Sequence, residues 1–380
     1  MADNKDKKVL NVPALRFPEF TDEWKKIRLG DNCSIQMCKR IMAAQTNTEG
    51  GVPFYKIGTI GGKADAYISK DLFDEYKRKY SYPNKGEVMI TCAGTVGKCV
   101  IYDGEDSYYQ DSNIVWIDNP NEIISNDFLY HLLSNINWSY LNSTTIVRIY
   151  NDDLRNLKLC CPRLDEQKKI ARFLSLINER IATQNKIIED LRLLRDAISV
   201  CLLSPKSDWK CYKVSEIADI GRGRVISSKE IANQNNPRYP VYSSQTSNEG
   251  IMGYLDDYAF DGEYITWTTD GANAGTVFYR NGCFNCTNVC GTLKLHYQFD
   301  AYYCSLVLAN ATKKYVSANL ANPKLMNNTM AAIKLYLPPF QEQKRMAQLF
   351  RKMDENITLE HKLLLSYQKQ KHYLLQQIFI

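Results

Sequence analysis

The feature that most constrains this 380-residue chain is a repeat inside it. Pro162-Arg163-Leu164-Asp165-Glu166-Gln167-Lys168-Lys169-Ile170-Ala171 and Pro338-Pro339-Phe340-Gln341-Glu342-Gln343-Lys344-Arg345-Met346-Ala347 share Pro, Glu-Gln-Lys and Ala in place. The offset is 342 − 166 = 176, and it runs on through Glu179/Glu355, Ile181/Ile357 and Lys186/Lys362 without a gap. Upstream, Asn151 to Leu159 aligns with Asn327 to Leu335, and Gly86-Glu87 with Gly262-Glu263, at the same offset. Trp24-Lys25 matches Trp209-Lys210 at 209 − 24 = 185, so loops near the start differ in length. Self-similarity at one period requires two like folding units, each a variable β-rich block followed by a better-matched helix.

Both helical segments open with a Pro and carry acids in the first turn, where the helix dipole favours them. Apolar residues then recur in a heptad rhythm: Ile170, Leu174, Ile177, Ile181, Ile188, Leu191, Ile198 and Leu202, against Met346, Phe350, Met353, Ile357, Leu364, Tyr367, Leu374 and Ile378. Sustained heptads with polar outer faces predict coiled-coil helices, each about 55–60 Å long if unbroken. Polar residues interrupt the seam at matching places: Gln184 and Arg195, then Glu360 and Lys371. In an antiparallel pair with pseudo-two-fold symmetry, partner numbers have a constant sum. Arg195 with Glu360 and Gln184 with Lys371 both sum to 555, which predicts an Arg195–Glu360 contact and a polar register lock.

Between the helical segments lie Gly-rich turns and short alternating strands. Gly86 to Thr91 and Cys99 to Tyr102 flank the loop Ala93-Gly94-Thr95-Val96-Gly97-Lys98. Gly262 to Thr266 and Val277 to Tyr279 flank Asp270-Gly271-Ala272-Asn273-Ala274-Gly275-Thr276. Each reads as strand, tight polar loop, strand. Gly94-x-x-Gly97-Lys98 lacks the spacing and following helix of a Walker loop. It reads either as a plain hairpin turn or as a contact for phosphates and base edges. The run Tyr242-Ser243-Ser244-Gln245-Thr246-Ser247-Asn248 is dense in groups that pair with base edges. Arg148 and Lys324 (148 + 176) place a cation at equivalent points of both blocks. The residues expected to touch DNA are Lys56, Thr95, Lys98, Arg148 and Tyr150 in the first block. In the second they are Tyr242, Ser244, Gln245, Asn248, Thr268, Asn273 and Lys324.

Composition narrows the class. Net charge is +6, with basic clusters such as Lys5–Lys7–Lys8, Lys39–Arg40, Lys77–Arg78–Lys79 and Arg222–Arg224. That is compatible with a polyanion partner. The 25 Tyr suit either a half-wet interface or simply a β-rich fold. No stretch reads as a membrane span or signal peptide, and the 12 Cys then read as reduced cytoplasmic thiols. Cys283, Cys286, Cys290 and Cys304 lack the paired spacing of a zinc ribbon, so no metal is expected. The four His assemble into no catalytic arrangement.

Two dissimilar β-rich blocks, each followed by a helix opening Pro-x-x-x-Glu-Gln-Lys-x-x-Ala or a close variant, resemble the specificity subunit of type I restriction-modification systems. Pro162 to Ile181, Pro338 to Ile357, the Trp24 and Trp209 openings and Leu15-Arg16-Phe17-Pro18-Glu19-Phe20 carry the resemblance. It covers essentially the whole chain. It implies an α+β fold with target recognition domains at 1–162 and 205–338. Helical spacer and docking regions follow at 163–204 and 339–380, pairing as an antiparallel coiled coil. Each domain would read one half of a bipartite site on double-stranded DNA, and the coiled coil would set the spacer and dock two methylation subunits. Restriction subunits would join through the complex. The chain would be non-catalytic, with no cofactor of its own, and S-adenosylmethionine, ATP and Mg would belong to partner subunits. Consistent with that, Leu337-Pro338-Pro339-Phe340 has Leu where an adenine methyltransferase motif needs a polar side chain. The alternative from another class is a coiled-coil adaptor with two ligand-binding β domains that do not bind DNA.

Overall fold

Pro162 and Pro338 end a strand and hand the chain to a helix, as the repeat predicts. In the computed structural model, which describes residues 11–141, 148–317 and 322–379, those helices are Leu164–Leu202 and Phe340–Ile378. Each has 39 residues, about 58 Å of helix, and both ends sit 176 residues apart. The Lys5–Lys7–Lys8 cluster and the N-terminal segment read for a signal peptide lie outside the described residues.

The chain divides into two compact units, Met1–Asn185 with Lys362–Ile380, and Lys186–His361. This differs from the four-part division expected from sequence, because the helices do not stand apart as separate bodies. Ile170, Leu174, Leu374 and Ile378 are buried in the first unit's core, and Met346, Phe350 and Leu203 in the second's.

In the first unit the strands are β1 (Lys25–Arg28), β2 (Ser34–Gln36), β3 (Val52–Tyr55), β4 (Tyr67–Ile68), β5 (Val88–Thr91), β6 (Cys99–Ile101), β7 (Tyr108–Tyr109), β8 (Ile114–Asp118) and β9 (Lys158–Cys161). The helices are α1 (Lys70–Lys79), α2 (Asn126–Asn135), α3 (Asn151–Arg155) and α4 (Leu164–Leu202). A four-stranded antiparallel sheet runs β2-β8-β5-β6, a second sheet runs β4-β3-β7, and β1 pairs with β9. Strand β5 (Val-Met-Ile-Thr) is buried along its whole length because both faces are covered. Val88 and Ile90 face one core, with Phe128 and Leu129 of α2. Met89 faces another, with Phe54, Phe73 and Tyr108.

The second unit repeats that topology. Its strands are β10 (Lys210–Lys213), β11 (Ala218–Arg222), β12 (Tyr239–Tyr242), β13 (Ile251–Leu255), β14 (Tyr264–Thr268), β15 (Val277–Arg280), β16 (Asn285–Cys286), β17 (Cys290–Leu295) and β18 (Lys334–Leu337). The helices are α5 (Val214–Ile217), α6 (Ser228–Ala232), α7 (Ala301–Ala311), α8 (Asn327–Ala332) and α9 (Phe340–Ile378). The sheets run β11-β17-β14-β15, β13-β12-β16 and β10-β18. The blocks differ in decoration. In the first, α1 follows β4 and buries Phe73. In the second, α6 precedes β12 and sets Ile231 against Gly253 of β13.

The repeated Glu-Gln pair has a structural explanation. Gln167 is fully buried and accepts from the Ser125 amide at 2.8 Å, while its amide donates to the carbonyls of Pro162 (2.9 Å) and Ile123 (2.8 Å). Gln343 accepts from the Asp300 amide at 3.1 Å and donates to Pro338 at 2.9 Å. Ser125 and Asp300 are the N-caps of α2 and α7. Each Gln therefore ties the start of a long helix to the strand before it and to its own block. Glu166 takes two 2.7 Å bonds from Arg16 and one from the Trp24 indole at 3.3 Å. Its counterpart Glu342 meets Lys206 at 3.8 Å, and the buried Trp209 indole N–H has no partner among the described residues.

Within each unit the long-helix segments run antiparallel. In the first, Ile170 and Phe173 lie beside Ile378, while Arg180 stacks on Tyr367 at 4.8 Å. In the second, Arg192 meets His361 at 2.7 Å and Arg195 bonds Asp354 with both prongs. Gln184 is buried, and Arg195, Glu360 and Lys371 are half-buried, as seam positions should be. The expected Arg195–Glu360 partnership is corrected: the guanidinium engages Asp354, six residues earlier. The Tyr302 hydroxyl bonds the same carboxylate and the Phe350 ring lies 5.7 Å from the guanidinium, so the block and not helix symmetry selects the partner.

Candidate nucleic-acid interface

The loop between β5 and β6 turns on two glycines, Gly94 (φ 65°) and Gly97 (φ 82°), a conformation that side chains with a Cβ adopt at a cost. The buried Thr91 hydroxyl closes it from beneath, bonding the Thr95 carbonyl and accepting from the Lys98 amide at 3.0 Å. Gly97 is also required by packing, since a Cβ there would lie 2.1 Å from the Trp138 ring. Thr95 and Lys98 are consequently presented at the surface. They line a cleft of about 740 Å³ with Gly94, Ser134, Asn137 and Trp138. The Lys98 ammonium reaches back to the Ile60 carbonyl, so the turn after Lys56 lies beside this loop. Lys56 itself is paired with Asp65 at 3.1 Å.

The chain returns to the same loop at 148–150, where the Ile149 amide bonds the Cys92 carbonyl at 2.9 Å. Arg148 donates to the Ser112 carbonyl at 3.4 Å and lies 5.8 Å from the Tyr150 ring. Tyr150 is exposed. Four residues picked from sequence, Thr95, Lys98, Arg148 and Tyr150, thus belong to segments that meet at one end of the β2-β8-β5-β6 sheet.

The second unit builds the corresponding place from different side chains. Asn273 is exposed in the β14–β15 loop, and Lys324 bridges Asp270 across a short ladder. Asp270 accepts ion pairs from Arg222 at 3.3 Å and Lys324 at 3.5 Å. Arg222 also bonds the Asn288 carbonyl. Position 288 is 112 + 176, so each unit caps the same turn with an arginine, but from a different strand segment.

Several expected contacts fall elsewhere. Thr268 is 1% exposed, and burial at the end of β14 withdraws it from any surface. Tyr242 lies under the Arg280 guanidinium, whose carbon is 3.6 Å from the ring centroid, and serves packing. The Gln245 amide closes its own loop on the Ile251 carbonyl, and Arg280 ties that loop down through the Glu249 carbonyl at 2.6 Å. Burial lowers the Arg280 pKa from its ordinary value. Ser244 is half-buried, and Asn248, at φ 50°, stands exposed at the tip. Sequence reading assigned no site role to Arg222, Asp270 or Arg280, although Arg222–Arg224 was visible as a basic cluster. Their partners lie tens of residues away.

The model of the type I restriction modification DNA specificity domain matches residues 21–193 and again 206–366. A protein of Haemophilus influenzae named as a type I restriction enzyme specificity subunit is 50% identical over 173 residues. That segment is 45% of this chain and 44% of the relative, so less than half of the relative's length is spanned. A specificity subunit of Mycoplasma pneumoniae is 38% identical over 192 residues, 50% of this chain and 79% of that one. Among solved structures, the type I restriction-modification S subunit from M. genitalium shares the fold at a TM-score of 0.68 and 18% identity, over 97% of this chain and 99% of that one. A chain from a structure of type I assembly and conformational transition gives 0.58 at 14% identity, over 95% and 98%. With both halves matched and the topology present twice, this chain belongs to the type I restriction-modification specificity family.

Proposed function

We propose that the chain is the DNA-reading subunit of a type I restriction-modification complex, each β-rich unit reading one half of a bipartite site. The observation that carries this is the pairing of one topology with two chemistries. Loops 92–98 and 269–276 occupy the same place, yet one presents Thr95 and Lys98 and the other Asp270 and Asn273. A scaffold repeated for symmetry with loops varied for recognition suits a two-part sequence.

The paired helices act as the spacer and as the dock for two methylation subunits. Apolar side chains left exposed on their outer faces suit such docking: Leu193, Leu194 and Val200 on α4, and Leu359, Leu365 and Tyr373 on α9. Methyl transfer with S-adenosylmethionine, and cleavage with ATP and Mg by restriction subunits, fall to the partners, and this chain works with them in the cytoplasm. No helix among the described residues is long and apolar enough to cross a membrane.

Single-molecule methylation sequencing of a host with and without the gene tests the proposal. Loss of one interrupted motif on deletion is expected. An unchanged methylome, or a lost motif without an unspecified centre, would sink it.

A further inference from the structure

We infer that Asp270 occupies, in the free second unit, the place of a DNA phosphate, and so acts as a built-in competitor for non-specific DNA. The inference rests on the DNA-reading function proposed above. Two cations from separate segments converge on this one carboxylate: Arg222 at the end of β11, 3.3 Å from Oδ2, and Lys324, 3.5 Å from Oδ1. The Thr269 hydroxyl bonds Oδ2 as well, at 2.8 Å. A guanidinium, an ammonium and a hydroxyl about one oxyanion form the donor set that a phosphate takes.

The guanidinium and the backbone that carries the ammonium are held without Asp270. Arg222 is also held by the Asn288 carbonyl and by the Thr269 hydroxyl at 3.1 Å, and the Leu325 amide next to Lys324 bonds the Thr269 carbonyl at 2.9 Å. Both cation side chains keep a third or more of their surface exposed (35% and 43%), so a ligand can reach them.

The first unit supplies the contrast. Its residue matching Lys324 is a cation, Arg148. The position matching Asp270 is Ala93, next to the Cys92 carbonyl that takes the Ile149 amide as the Thr269 carbonyl takes the Leu325 amide, and that matching Arg222 (222 − 185 = 37) is Met37. At these matched positions the second unit alone carries a carboxylate. A phosphate approaching it must displace or outcompete that carboxylate. Binding there is then weak until base contacts add to it, which damps sequence-independent attachment.

The test uses the full-length chain, a random-sequence duplex and fluorescence anisotropy over a salt series. Asp270→Asn is compared with wild type and with Asp208→Asn, which removes the same charge at another exposed site of this unit. D270N should bind about fivefold tighter than D208N, the upper range for release of an exposed ion pair. Its slope of log affinity against log salt should steepen by up to about 1.8, for two added phosphate contacts. Adding Arg222→Met should remove about half of that steepening. Asp270→Ala, the residue of the first unit, carries the same expectation and replaces D270N if that variant melts early. D270N binding no tighter than D208N, or more weakly, overturns the inference while wild-type binding leaves the DNA-reading function standing. Failure of every variant, wild type included, to bind DNA counts against that function and takes the inference with it.

Discussion

Replacing Gln167 by Met keeps the length and volume of the side chain and removes only its polar groups. Three backbone groups lose their partner: the Ser125 N–H and the carbonyls of Pro162 and Ile123. A stranded polar group costs about 1–3 kcal/mol when buried, less where water can enter. The Pro162 bond is fully buried and the other two partly so, which gives a total loss of about 3–5 kcal/mol. A domain has about 5–15 kcal/mol to lose. Gln343→Met breaks two such bonds, to Asp300 and Pro338, and should cost about 2–3 kcal/mol. Urea unfolding of the full chain measures both. Hydrogen exchange of peptides covering Ser125 and Asp300 assigns each loss to its unit. A Q167M loss below about 1 kcal/mol, or a larger loss for Q343M than for Q167M, would refute the claim that these glutamines anchor the helices by hydrogen bonding.

Further perturbations test other parts of the structure. Burial pushes the His131 pKa down to about 4, with Lys371 adding to the effect. The unfolded chain therefore binds the proton first, and stability of the first unit should fall as pH drops from about 6.5 toward 4, by up to about 3 kcal/mol. His131→Gln should flatten that part of a pH-dependent melting curve, and a profile unchanged by the substitution would contradict the assignment. Asn178→Asp places a carboxylate at the position matching Asp354 (354 − 176), and the repeat makes Lys371, which matches Arg195 (195 + 176), its expected partner. Calorimetry should show a gain of about 0.3–1 kcal/mol that fades at high salt. Gly97→Ala meets both the Trp138 ring and a positive φ, and should cost about 2 kcal/mol or more in urea unfolding. A Gly97→Ala variant as stable as wild type would mean that Trp138 is free to move.

Much of the architecture was legible in the chain because it is local. Pro162 and Pro338 mark helix starts, heptads mark the seam, and Gly94 and Gly97 mark a turn, each through interactions spanning a few residues. The 176-residue offset then doubled every such inference, and the helices it predicted begin and end at that offset. Candidate contacts on short exposed loops, such as Thr95, Lys98, Asn273 and Lys324, could be named for the same reason.

Tertiary structure decided the rest. Arg195 pairs with Asp354 because Tyr302 of α7 bonds that carboxylate, and no pattern along the helices contains Tyr302. Thr268 and Thr266 are alike in sequence context to an exposed loop residue, yet both are buried once β14 sits in the middle of its sheet. Gln167 looked like part of a motif, and its purpose needed the Ser125 amide, 42 residues away. Asp270 read as one polar loop residue until β11 brought Arg222 and the 322–325 segment brought Lys324 to it. Sequence determines the repeat, the elements and their order, since these follow from local propensity and period. Partners across the fold depend on burial and on which strands become neighbours, and those follow only when the chain is closed on itself.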